Sequence, residues 1–165
     1  MNLKAIHKLR EAGDHEKAGE LAIVALTSSP GDPELQFEAA CIHDYLGREA
    51  EAIPLYCLCI AAGLSPVRLR QAYLGLGSTY RVLGQYEKSE RVLREGLEKF
   101  PQARELEVFL AMTLYNLGKA KESAELLLRI AARTSNDKAI RKHKSTILFY
   151  SKDLDKIWGS LSDAE

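Results

Sequence analysis

The sequence predicts an all-α fold built from a repeated helical hairpin, and three observations predict it. Four short segments align: GDHEKA at 13–18, GREAEA at 47–52, GQYEKS at 84–89 and GKAKES at 118–123. Their glycines, Gly13, Gly47, Gly84 and Gly118, lie 34, 37 and 34 residues apart. Between them, apolar residues recur at the three- and four-residue spacing of one helix face, as in Leu69, Tyr73, Leu76, Tyr80 and Leu83, and again in Leu106, Leu110, Leu114 and Leu117. No stretch sustains period-two alternation, so no strand is expected.

Taken in order, helices are expected near 2–12, 15–29, 34–46, 49–62, 67–83, 86–99, 103–117, 120–133 and 137–151. Each repeat glycine ends the first helix of a pair, where a left-handed backbone angle is cheap only for glycine. Each segment closes on a small residue, Ala18, Ala52, Ser89 or Ser123, expected at the closest crossing of the two helices. Pro30 and Pro101 follow seventeen residues after Gly13 and Gly84 and mark the end of the second helix. Pro54 falls inside the first turns of a helix, where it removes a hydrogen bond and is expected to bend the helix. The middle interval has three extra residues around Gly63-Leu-Ser-Pro66, a turn-like stretch. The repeats then run about 1–32, 33–66, 67–102 and 103–136, with a closing helix at 137–151 and a tail at 152–165. In the tail, Leu154, Ile157, Trp158 and Leu161 share one helix face, to dock on the last repeat or enter a partner's groove.

These features resemble the tetratricopeptide repeat, whose period is 34 residues. The third repeat carries the likeness best: Tyr73-x2-Leu76-Gly77-x2-Tyr80, then Gly84, Ser89 and Pro101. The other repeats have Ala5-Ile6, Ala39-Ala40 and Leu110-Ala111 in place of the leucine-glycine pair, and repeats three and four have serine where alanine is usual. The segments AIPLY at 52–56, LGLGSTYRVLGQYEKS at 74–89 and ILFYS at 147–151 also resemble a bacterial family of small stand-alone proteins of this type. The resemblance implies a right-handed superhelix of about four hairpins with a C-terminal capping helix. It also implies a protein or peptide partner, and self-association as a homodimer.

Composition narrows the function. The 165 residues hold 23 Lys+Arg and 23 Asp+Glu, a neutral balance unlike the basic excess of a nucleic-acid binder. The longest uncharged run, 52–66, is broken by Pro54, Gly63 and Ser65, so no membrane span is expected. The first ten residues are charged and lead into no apolar core, so no secretion signal is expected. Three cysteines make no disulfide framework, which points to reduced thiols and a cytoplasmic protein.

No constellation carries catalysis. His7, His15, His43 and His143 have no metal-ligand spacing and are expected at the surface or in the groove. Cys57-x-Cys59 diverges on a helix, so Cys41, Cys57 and Cys59 are expected as small buried apolar residues. Gly75-Leu-Gly77 lies in mid-helix and cradles no phosphate. An enzyme and a cofactor are therefore not expected.

A hairpin array lines its concave face with the first helix of each pair. Residues three, six and ten before each glycine should face that groove: Arg10, His7 and Leu3; Asp44, Cys41 and Phe37; Arg81, Ser78 and Leu74; Tyr115, Met112 and Val108. The closing helix adds Phe149, Thr146 and Lys142. Such a mixed apolar groove fits an apolar partner segment or a second copy. Single-stranded RNA is the alternative, opposed by Glu34 and Asp44 near the groove. Charge is uneven: 31–52 carries six acids against Arg48, and 129–144 six bases against Asp137, so an antiparallel dimer could pair the two stretches.

Overall fold

The computed structural model describes residues 3–157 and 159. Among them the structure is all helical, in ten elements: α1 (Leu3–Glu11), α2 (His15–Ser28), α3 (Pro33–Tyr45), α4 (Glu49–Ala62), α5 (Pro66–Val82), α6 (Tyr86–Lys99), α7 (Arg104–Asn116), α8 (Ala120–Thr134), α9 (Lys138–Lys142) and α10 (Lys144–Tyr150). The first eight form four antiparallel hairpins, and each hairpin packs on the next to wind a right-handed superhelix.

The turns follow the expected chemistry. Gly13, Gly47, Gly84 and Gly118 take φ of 79°, 69°, 72° and 75°, the left-handed region that lets the chain reverse within three residues. Asp14 and Asp32 cap the amides of α2 and α3. The small residues Ala18, Ala52, Ser89 and Ser123 are all buried at the hairpin crossings. The core runs through the array in two contiguous parts, one around Ile6, Ala22, Leu35 and Ile42, the other from Phe37 and Tyr56 to Leu114 and Ile130.

The packing pattern sets the curvature. Consecutive odd helices pack, α1 on α3, α3 on α5 and α5 on α7, whereas the even helices stand farther apart, α6 and α8 meeting through the Arg94–Glu122 ion pair. The odd helices therefore form the inner, concave wall and the even helices splay on the outside.

α4 runs from Glu49 to Ala62 through Pro54, whose side chain is exposed. Two expectations are corrected. The closing helix is not one element: it breaks at His143 into α9 and α10. Neither piece buries a residue fully, and like charges crowd 138–144, so packing does not enforce a straight rod. The start of the tail is turn rather than helix: Leu154 donates its amide to Glu125 (3.0 Å), and Lys121 holds Asp153 (2.5 Å) and Asp155 (2.9 Å), so 153–155 lie back along α8. Trp158 and Leu161 lie outside the described residues.

The three extra residues of the middle interval have a specific outcome. α5 begins eighteen residues before its glycine, whereas α3 and α7 begin fourteen before theirs. The insertion thus adds a turn to the start of α5, and that turn carries Arg68.

Candidate functional site: the concave wall

The wall formed by α1, α3, α5 and α7 is left open by the closing segment, because α9 and α10 pack on α8. Its N-terminal half is polar and internally satisfied. Glu38 of α3, 1% exposed, meets two guanidinium groups and an imidazole: Arg68 at 2.5 Å, Arg10, and His7 at 2.8 Å. Arg68 also pairs with Glu34 at 2.7 Å and lies 5.0 Å above the Phe37 ring. Burial works to raise the Glu38 pKa, but hydrogen bonds from Arg68 and His7 and the charges of Arg10 and Arg68 hold it below its ordinary value. One carboxylate thereby ties the first three hairpins together.

The middle of the wall is a second closed network. Asp44 accepts from Thr79 Oγ1 (2.9 Å) and Tyr56 Oη (3.3 Å), and Tyr56 Oη also reaches Cys41 Sγ at 3.6 Å. Tyr56 comes from α4 and passes between α3 and α5 because Gly75 has no side chain; a Cβ there would sit 2.5 Å from the ring. Burial raises the Asp44 carboxyl, against hydrogen bonds from Thr79 and Tyr56, and pushes the Cys41 thiol up to about 11. The Cys41 thiol is thus held protonated and is not poised as a nucleophile near neutral pH.

The C-terminal half is different in character. Leu74, Ser78, Val108 and Met112 are half-buried, and Tyr115 is 69% exposed. A cavity of about 290 Å³ opens between Arg81, Met112, Tyr115, Asn116, Ser123 and Leu127. Arg81 Nη1 donates to Asn116 Oδ1 at 3.2 Å, while its buried Nε has no partner among the described residues. This end of the wall offers apolar surface with one guanidinium at its edge.

The register taken from the glycines places Asp44, Cys41, Leu74, Ser78, Arg81, Val108, Met112 and Tyr115 on the odd helices, as expected. Phe37 is not open: it is 4% exposed, part of the core under Arg68. Phe149 does not extend the wall, because its helix α10 packs on α8; its ring meets Tyr150 and Lys152. Among the histidines, His43 is buried, and its pKa is lowered chiefly by that burial. Of the cysteines, Cys59 is buried but Cys57 is exposed. The sequence places Glu38 beside the groove but does not reveal its partners, and it does not single out Arg68, Tyr56 or Asn116; the 37-residue interval was the available signal for Arg68.

The acidic stretch 31–52 is not a free surface. Glu34 and Glu38 are paired, Asp44 is in its network, and Asp32 caps α3. That removes most of the acidic partner from the antiparallel charge pairing expected from the sequence. Among the described residues no group of three His, Cys, Asp or Glu is placed to hold a metal, and no helix is long and apolar enough to cross a membrane.

Comparison with known families finds a match to the family described as Tetratrico peptide repeat over residues 33–134, and again over 90–152. No curated protein matches the chain.

Proposed function

Because the chain belongs to the tetratricopeptide repeat family, whose repeats are protein-interaction modules, we propose that it acts by binding, not catalysis, and holds a segment of a partner protein in the concave wall. One observation carries the reading. The polar half of the wall is closed on itself through Glu38 and Asp44, which leaves Leu74, Ser78, Val108, Met112 and Tyr115 as the part with apolar surface to offer. An extended or helical segment with apolar side chains gains there by leaving water, at roughly 25 cal/mol per Å². Arg81 and Asn116 give it polar contacts at the edge.

A second copy can supply that segment, since Tyr115 and Leu127 are 69% and 43% exposed at the end of the array. Light scattering checks that form: a monomer at every concentration up to tens of micromolar removes it. For the wall itself the test is capture of partners from the native host with the wild type and with Leu74→Glu/Met112→Glu. The charged wall should lose the partners the wild type retains. Retention of every partner would put the site elsewhere.

A further inference from the structure

We propose that the basic face of α9 and the start of α10 is a second docking surface, which takes an acidic segment of a partner protein. It is separate from the concave wall and does not depend on the reading of that wall. Lys138, Arg141 and Lys142 stand at i, i+3 and i+4 on α9, so they share one face. His143 and Lys144 follow directly, and all five residues are exposed. None of the five is ion-paired with a described residue. The one acid of residues 129–144, Asp137, caps α9 through the amides of Ala139 (2.9 Å) and Ile140 (3.0 Å).

This is unlike much of the surface. Arg48 is matched by Glu16, Arg94 by Glu90 and Glu122, and Lys121 by Asp153 and Asp155. Nor does the local fold account for the cluster. Arg141 and Lys142 close α9, where a helix favours cations, but Lys138 and Lys144 open their helices, where it disfavours them. Exposed side chains that repel one another, two of them against the helix dipole, are not accounted for by folding stability, and a surface that concentrates one sign of charge attracts the other.

The occupant follows by elimination and complementarity. The acidic stretch of a second copy is a poor source of clustered carboxylates, because Glu34, Glu38 and Asp44 are spent on Arg68, His7, Arg10 and Thr79 and Asp32 caps α3, leaving Glu49 and Glu51. A nucleic-acid strand needs a basic track, but Arg10, Arg68 and Arg81 on the wall are already bonded within the chain. A membrane surface would need apolar side chains standing out beside the cations; Ile140 of α9 is half-buried, and the exposed Phe149 and Tyr150 lie at the far end of α10, their rings against each other. Clustered Asp and Glu of a protein segment match the face, with Arg141 able to take a carboxylate in two-point fashion.

The experiment is fluorescence anisotropy with a labelled poly-glutamate peptide against the full chain at about 20 mM and about 300 mM NaCl. Comparison probes are poly-glutamine, mixed single-stranded RNA of equal length, and phosphatidylserine vesicles. Four exposed pairs predict binding roughly ten-fold weaker in Lys138→Ser/Arg141→Ser/Lys142→Ser/Lys144→Ser, and weaker at the higher salt. Leu74→Glu/Met112→Glu should bind the peptide as the wild type does, which separates this face from the wall. A thermal melt equal to the wild type shows the quadruple variant folded. Equal peptide affinity in the quadruple variant, no binding at low salt, or tighter binding of RNA or vesicles than of the peptide would each overturn the proposal.

Discussion

Ser89 of α6 donates its hydroxyl to the carbonyl of Gly77 in α5 at 2.7 Å, where the two helices of the third hairpin cross. Ser123 repeats the bond on Ala111 in the fourth hairpin, also at 2.7 Å. The first two hairpins have alanine here and cross without the bond. Serine at this place is thus a small residue that also ties its two helices. Ser89→Ala should cost about 1 kcal/mol, because Gly77 keeps its helical partner and the site stays filled. Ser89→Leu should cost more, at least ~2 kcal/mol, through overpacking. Urea unfolding followed by circular dichroism gives both values.

Gly77 itself is fixed by Leu93. A Cβ on Gly77 would lie 2.6 Å from Leu93 Cγ and Cδ2, and Leu93 is fully buried and cannot swing away. Gly77→Ala should therefore destabilise by roughly 1–2 kcal/mol, although alanine is the better helix former by about 1 kcal/mol. In Leu93→Ala the added methyl should be tolerated or favourable. A double-mutant cycle measures the difference; additive effects would mean that the close contact has no energetic consequence.

The Glu38 cluster predicts acid sensitivity. A carboxyl whose folded pKa lies below its unfolded value adds stability that is complete above the unfolded pKa and is lost as pH falls through the folded one. For Glu38 the loss begins below about 4.5, its ordinary value. Asp44 acts in the opposite sense, since burial raises its pKa. The informative quantity is therefore the gap between the wild type and Glu38→Gln. Near pH 7 that gap should be about 2 kcal/mol, below the ~3–5 kcal/mol of a fully buried pair because Arg10 and Arg68 reach solvent. It should narrow as pH drops below 4.5; a gap independent of pH would remove the charge from the account.

Tyr56→Phe separates the middle network from its packing. The ring still fills the space over Gly75, but Asp44 and Cys41 lose a hydrogen-bond donor. A cost of roughly 1–2 kcal/mol is expected, with the Asp44 pKa rising further, readable by carboxyl carbon NMR titration.

The hairpins were legible because their determinants are local. Gly13, Gly47, Gly84 and Gly118 must take left-handed angles, and the faces such as Leu69-Tyr73-Leu76-Tyr80 have the helix period. Counting back from those glycines puts the register residues on the odd helices. What lay outside the sequence reading were contacts across hairpins. Phe37 stands at a groove position, yet Arg68, brought in by the extra turn of α5, covers it. Tyr56 lies on an outer helix, yet its hydroxyl reaches the wall through the gap at Gly75. The closing helix breaks at His143, where a run of like charges over 138–144 buries no residue fully to hold a straight rod.

The central claim, that the concave wall holds the partner, is tested most directly by a photo-crosslinking residue placed at Ser78 on the wall and, separately, at exposed Leu58 on α4. Irradiation in the native host should give protein adducts from Ser78 and few from Leu58. Adducts from Leu58 with none from Ser78 would contradict it.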